Sequence, residues 1–272
     1  MDPRAQARGR RLSSPLAARV ATAAALIAAL LVALFWLPKA LLVALIALLV
    51  AGAAHEWAGL CRLSRPARAL LVAVMAAGFV ALFLAGAHLP SFGLAAAFWL
   101  LVAPLWLARG MHATRPYGLV AAGFIVLLPP ALAMTFLDAG RLLGVLALVW
   151  VADSAAYFVG RAWGRRRLAP SISPGKTWEG AAGGLGGALL YAIICKRFFG
   201  EIGWAPYLAA AALLAALSIV GDLFESAAKR RAGVKDSGAL LPGHGGILDR
   251  IDSATAVLPL AALLWALMKG NA

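Results

Sequence analysis

Charge is scarce in this sequence: 13% of its 272 residues are Asp, Glu, Lys or Arg, and only 11 of those are acidic. In its place, apolar runs of about 20 residues recur from end to end, and the mean hydropathy is +0.88. A run of that length is what one helix needs to cross roughly 30 Å of hydrocarbon. A soluble core has no use for so many, so the composition excludes a soluble protein and predicts a polytopic membrane protein. Cysteine is nearly absent as well. Of the 2 present, Cys61 falls at the inner end of one predicted span and Cys195 near the outer end of another. A disulfide needs α-carbons within about 7 Å, so this pair cannot staple the fold. There is no convincing internal repeat.

The expected fold is all-α, a polytopic integral membrane bundle of nine transmembrane helices at 17–37, 40–60, 67–87, 90–108, 118–137, 141–160, 180–200, 204–223 and 254–268. Pro38-Lys39, Arg62 to Pro66, Pro90, Arg109 to Pro116, Asp138 to Arg141, the basic stretch 161–179 and the segment 224–252 interrupt the apolar runs. Pro129-Pro130 falls inside the fifth span, where a kink is expected because irregular backbone cannot face lipid. With the N-terminus placed in the cytoplasm, 20 of the 25 Lys and Arg fall on the inner side. That bias predicts an N-in, C-out topology. The net charge of +14 then describes a surface facing anionic headgroups, and nucleic acid is excluded as a partner. The Arg-rich start and its apolar run read as an uncleaved first helix, because the run is too long for a signal peptide. Three regions follow: a basic cytoplasmic tail at 1–16, N-terminal transmembrane helices at 17–137, and a C-terminal catalytic region at 138–272.

The few acids are not scattered. Glu56, Asp153, Glu179, Asp222, Glu225, Asp236, Asp249 and Asp252 all map to inner ends of spans or to the last two inner loops, which places the active site at the cytoplasmic face. An intramembrane carboxylate costs several kcal/mol unless paired or metal-bound, so such residues are functional candidates. The plainer alternative is that each snorkels to the nearby interface, and for Glu56 that alternative is preferred. For Asp153 and Asp222 the polar company around them favours function.

That company is "GDLFESAAKRRAGVKDSGALLPGHGGILDRIDS", residues 221–253. Asp249 and Asp252 are three apart, a spacing that puts both on one helical face, able to share a hard cation such as Mg²⁺. Asp222 ends the preceding span at the same depth and completes the expected metal set of Asp222, Asp249 and Asp252. Lys229, Arg230, Arg231, Lys235 and Arg250 surround them, and acids beside cations are what a phosphate-transfer site requires. Gly243, Gly245 and Gly246 let backbone N–H groups approach an anion. A flexible loop that binds anionic lipid is the plainer alternative, but such a loop does not need the acids. His244 could contact phosphate, transfer a proton or cap the loop.

In the earlier inner loop, "SPGKT" lacks the spacing of a P-loop and any preceding strand. Lys176-Thr177 at a helix start remains a plausible phosphate anchor, with Ser173 beside it. Gly180, Gly183, Gly184, Gly186 and Gly187 make a small-residue face for helix packing.

Taken together, these residues resemble the phosphatidate cytidylyltransferases, also called CDP-diacylglycerol synthases. The family's signature is met in register by Ser226, Lys229-Arg230, Lys235-Asp236, Pro242 to Gly246, Asp249-Arg250 and Asp252. The likeness extends to Asp153–Gly160 and Ser173–Gly180, while the N-terminal spans match only in being hydrophobic. One departure is Gly175, where the family usually has a lysine before Lys176. The resemblance implies that CTP and phosphatidate give CDP-diacylglycerol and pyrophosphate with Mg²⁺, in a multi-pass protein of the bacterial cytoplasmic (inner) membrane. It implies catalytic roles for Asp222, Lys229, Arg230, Lys235, Asp236, His244, Asp249, Arg250 and Asp252. Substrate contacts are implied at Asp153, Ser173, Lys176, Thr177, Ser226, Gly243, Gly245 and Gly246. It leaves open a second cation such as K⁺, and a homodimer. Two rival classes are disfavoured: a CDP-alcohol phosphatidyltransferase, whose D-G-x-x-A-R opening is absent, and a cation transporter, since spans three, four and nine are nearly bare of polar groups.

Overall fold

The structure is a computed structural model that describes residues 15–111, 116–198, 202–238 and 245–270. Among the described residues, ten α-helices run in chain order: α1 (Pro15–Trp36), α2 (Lys39–Leu60), α3 (Arg65–Leu84), α4 (His88–Ala97), α5 (Ala103–Arg109), α6 (Pro116–Phe136), α7 (Ala139–Trp163), α8 (Trp178–Cys195), α9 (Trp204–Ala232) and α10 (Leu248–Gly270). A π-helical turn, Phe98–Val102, joins α4 to α5, so His88–Arg109 is one rod. Among the described residues, 8 helices are long and apolar enough to cross a membrane, and α1 stands where the first expected span lies. Large apolar side chains such as Leu48, Leu70, Leu84 and Leu101 are exposed on the flanks. A lipid-facing surface needs such residues, and a soluble monomer rarely shows them so contiguously.

The helix ends follow local chemistry. Asp138 caps α7 by accepting from the Arg141 N–H at 2.9 Å, and Thr177 caps α8 through Gly180 N–H at 3.0 Å. Gly233, at φ 72°, closes α9 in the left-handed conformation that glycine adopts without strain. Its own N–H donates to Arg230 O at 3.0 Å and that of Val234 to Lys229 O at 3.0 Å. Pro129 and Pro130 lie inside α6.

Three span boundaries and one element differ from expectation: the seventh span, expected to reach 200, has its helix α8 end at Cys195, and the ninth, expected from 254, begins six residues earlier at Leu248. The eighth span was expected to end at 223, but α9 continues to Ala232, so Ser226, Lys229 and Arg230 are helical residues. The polar end of α9 packs against other protein elements, and its charges are paired there, so it does not need to leave the helix. The differing element is a short antiparallel hairpin, β1 (Arg167–Ala169) with β2 (Ser173–Thr177), which joins Arg167 to Thr177 and Ala169 to Ser173. It lies in the stretch that reads as a loop in an all-α chain.

Small residues set which helices touch. A Cβ on Gly184 would come 3.0 Å from Ala152 O, and one on Gly180 2.9 Å from Ala156 O. Close α7–α8 packing therefore depends on these glycines, while Gly186 faces open space. On α9, a Cβ on Gly221 would lie 2.7 Å from Asp252 O of α10. Gly221 thus brings the two helices together at the level of Asp222 and Asp252. Phe224, one turn further on, is fully buried. Trp57 lies parallel to it at 6.4 Å, with Phe98 and Trp99 edge-on at 5.4 Å each. Aromatic clusters of this kind add to packing beyond their area, and this one ties the N-terminal helices to α9 beneath the polar residues.

Candidate active site

The C-terminal ends of α7 and α9, the starts of α8 and α10, and the hairpin surround a cavity of about 640 Å³. Asp153, Asp222, Asp249 and Asp252 line it together with Lys176, Thr177, Arg161 and Arg167. The sequence stretches singled out above therefore converge in space, although they span a hundred residues of chain. Tyr157, Phe158, Trp163 and Trp178 are exposed on the helices around the cavity. Aromatic rings collect at membrane interfaces, which fits a cavity at headgroup depth.

Lys176 reaches from β2 to Asp222 on α9, Nζ to Oδ2 at 2.5 Å. Ser226, one turn along α9, donates its hydroxyl to Asp222 Oδ1 at 3.2 Å. Asp153, Asp222 and Asp252 are close enough to act on one another electrostatically, so one lysine stands among three carboxylates. Arg161 donates to the Tyr157 hydroxyl at 3.0 Å, and Arg167 to Pro174 O at 2.7 Å. These two arginines line the cavity but were read in the sequence only as topology charges. Their place in the basic run 161–167 is the signal that could have marked them.

Asp249 is placed differently. Its Oδ1 accepts from Lys229 Nζ at 2.7 Å. Its Oδ2 accepts from Gly246 N at 2.8 Å, Ser237 N at 3.0 Å and Ser237 Oγ at 3.0 Å. Lys229, expected to neutralise phosphate, is held instead between Asp249 and Glu225, whose Oε2 lies 2.5 Å away. Burial of two acids around one lysine leaves that ammonium little freedom to turn toward a ligand. Among the described residues, no three His, Cys, Asp or Glu side chains are gathered into a ready metal-ligand set. The expected set of Asp222, Asp249 and Asp252 thus shares one cavity, with the oxygens of Asp249 already taken by protein donors.

The remaining expected residues divide. Thr177 is buried and spends its hydroxyl on the α8 cap. Ser173 is part of β2. Arg230 donates to Ile172 O at 3.2 Å and so clamps α9 to the hairpin. Lys235 and Arg250 are exposed, and Asp236 lines a second cavity of about 500 Å³ with His55, Glu56 and Arg68. Gly245 adopts φ 78°, and Gly246 supplies one of the Asp249 contacts. Gly243 and His244 lie outside the described residues.

Glu56 departs most from expectation. Rather than snorkelling to the interface, it is 3% exposed and is held by donors at the start of α10.

Compared with known protein families, residues 17–268 match the one described as the cytidylyltransferase family. A phosphatidate cytidylyltransferase of Pseudomonas aeruginosa is 42% identical over 270 residues, which cover 91% of this chain and 96% of that protein. One from Haemophilus influenzae is 53% identical over 123 residues, 43% of each chain. One from Bacillus subtilis is 49% identical over 121 residues, 44% of this chain and 45% of that one.

Proposed function

We propose that this chain, which belongs to the cytidylyltransferase family, is a phosphatidate cytidylyltransferase that converts CTP and phosphatidate into CDP-diacylglycerol and pyrophosphate. The observation that carries this reading is the mixed wall of the 640 Å³ cavity, where Lys176, Arg161 and Arg167 face Asp153, Asp222 and Asp252. A phosphate oxygen of phosphatidate attacks the α-phosphorus of CTP, the new P–O bond forms, and the bond to the β-phosphate oxygen breaks to release pyrophosphate. The attacking oxygen already carries charge at neutral pH, so no general base is required. The obstacle is bringing two polyanions together. Fixed cations in a site that excludes bulk water lower that barrier more than the same charges would in water.

Lys176 is the cation best placed to move from a protein partner to a substrate phosphate, because its pair with Asp222 lies open to the cavity. Arg161 and Arg167 hold the flank where leaving phosphates collect. Gly175, beside Lys176, is exposed, and a Cβ there would meet nothing within 4 Å, so the usual second lysine would fit without clash. Mg²⁺ is the cofactor implied by this reaction, and hard carboxylate oxygens suit it. Asp222 and Asp252, with Asp153 beside them, would hold it, and when bound it supplies neutralisation of the triphosphate oxygens. Asp249 serves in this reading by fixing the start of α10, from which Asp252 projects.

The site belongs to the cytoplasmic side of a bacterial inner membrane, where CTP is found, with the N-terminus inside. Purified protein given CTP, phosphatidate and Mg²⁺ should form CDP-diacylglycerol and pyrophosphate in equal amounts. Absence of both products from a preparation that still melts cooperatively overturns the assignment. The orientation is tested by Ser171→Cys and Val234→Cys, each of which an impermeant thiol reagent should label from the cytoplasmic side only. Burial pushes the native Cys61 thiol up to about 12, so it stays protonated and unreactive in that experiment.

A further inference from the structure

Glu56 belongs to the N-terminal half and to no signature motif, yet its carboxylate is gripped entirely by the C-terminal half. Ile247 N donates to its Oε1 at 2.9 Å, Leu248 N to its Oε2 at 2.9 Å, and Ser237 Oγ to Oε2 at 2.9 Å. These partners lie 181 to 192 residues away in sequence. All three are donors, and no lysine or arginine among the described residues forms an ion pair with it. Space for the carboxylate is cleared by glycine: a Cβ on Gly238 would lie 2.5 Å from Oε1, and one on Gly246 would collide with Oε2. The first N–H groups of a helix have no partner within it, and a carboxylate there also meets the positive end of the helix dipole. The Ser237 hydroxyl has one proton and two acceptors within reach, Glu56 at 2.9 Å and Asp249 at 3.0 Å. One serine therefore links the two carboxylates. Beside Glu56, the Trp57 indole donates to Leu119 O at 2.9 Å, which anchors this end of α2 against α6.

We infer that Glu56 is a positioning residue of the active site: it caps the start of α10 and, through Ser237, fixes Asp249 and the turn that carries Asp252. It does not line the main cavity, so it acts through these neighbours and not on substrate. The inference rests on the function proposed above and assigns the N-terminal half a positioning part in it.

The test compares Glu56→Gln, Glu56→Asp and Ser237→Ala with wild type in detergent–lipid micelles, by turnover of CTP and phosphatidate and by amide hydrogen exchange. Gln keeps the size but sets an amide nitrogen, a donor, against the Ile247 N–H in one orientation or the Leu248 N–H in the other. Glu56→Gln is expected to lower kcat about 10–100-fold, with KM for CTP little changed. Exchange should quicken at 245–252 while α2 and α6 keep their protection. Glu56→Asp, which keeps the charge, should recover part of both. Glu56→Gln combined with Ser237→Ala should lose less than the product of the separate losses, because the two act on one network. Wild-type kcat in Glu56→Gln overturns the inference, as does a fall in kcat with unchanged exchange at 245–252. Protection lost throughout the bundle overturns it too, since Glu56 would then merely hold the fold. Exchange does not depend on turnover, so an inactive wild type sinks the proposed function while the capping role is still decided.

Discussion

Two lysine–acid clusters stand at the same end of the bundle, and they are built in opposite ways. Lys176 and Asp222 form a pair whose side chains are 26% and 27% exposed, on the wall of a cavity shared with Asp153 and Asp252. Lys229 sits at 12% exposure between Glu225 at 5% and Asp249 at 7%. Both clusters have more acid than base, but the first faces space that a ligand can enter. The second is closed, and the oxygens of Glu225 have no hydrogen-bond partner apart from the ion pair with Lys229. A buried charge without a partner is very costly, whereas a half-exposed pair contributes little to stability and exchanges partners readily. The comparison teaches that two lysines, each paired with acid at the same end of the bundle, divide into one locked by buried partners and one whose pair lies open to the cavity.

The largest expected effect breaks the closed cluster. Lys229→Ala leaves Glu225 and Asp249 facing each other in a buried place, and should cost about 3–5 kcal/mol of stability. The melting temperature and the activity should fall together. Adding Glu225→Leu should restore part of the stability, because a buried ion pair replaced by apolar groups is often neutral. If Lys229→Ala melts like wild type and loses only affinity for CTP, the cluster is open and the contrast fails.

A second comparison separates the two aspartates three residues apart. Asp249→Asn weakens its bond with Lys229, and loss of one charge-assisted bond should cost about 1.5–3 kcal/mol. Asp252→Asn removes one of three mutually repelling carboxylates, so its stability without Mg²⁺ should hold or rise while turnover is nearly lost. Turnover against Mg²⁺ concentration, measured beside thermal unfolding, reads both. A wild-type Mg²⁺ curve for Asp252→Asn would end the proposed metal role.

The smallest expected effect on stability comes from Lys176→Ala, no more than about 1 kcal/mol for a half-exposed pair. Its effect on catalysis should be larger, about tenfold or more in KM, from loss of a charged contact worth roughly 1.5–3 kcal/mol. A drop in melting temperature as large as that of Lys229→Ala would make the two clusters alike.

The helices were legible because each span must satisfy its backbone internally and keep an apolar exterior, and both demands show as hydrophobic runs. Expected and observed ends agree to within a few residues from α1 to α7. The apolar run of α9 stops at 223 because Glu225, Ser226, Lys229 and Arg230 follow it, although the helix goes on. Hydrophobicity reports contact with lipid, and it cannot distinguish a polar helix packed against protein from a loop. The hairpin at 167–177 escaped for a related reason, since strands of three and five residues leave too short a pattern to read. In the site, Asp153, Lys176, Asp222, Asp249 and Asp252 were legible because acids and cations are rare enough in this chain to stand out.

The sequence by itself determined the membrane habit, the helical bundle, the gathering of charge at one end and the family to which that charge pattern belongs. These properties follow from composition and local spacing, which do not depend on how the helices are arranged. Only the tertiary structure decided that Lys229 is locked while Lys176 is open, that Asp249 and Asp252 share one cavity while protein donors take the oxygens of Asp249, and that Glu56 caps a helix 192 residues away. Each of those outcomes depends on which donors surround a charged group. Where the fold brings polar atoms distant in sequence within 3 Å of one another, that surrounding is set by close approach at glycines such as Gly221, Gly238 and Gly246, which no local pattern of residues specifies.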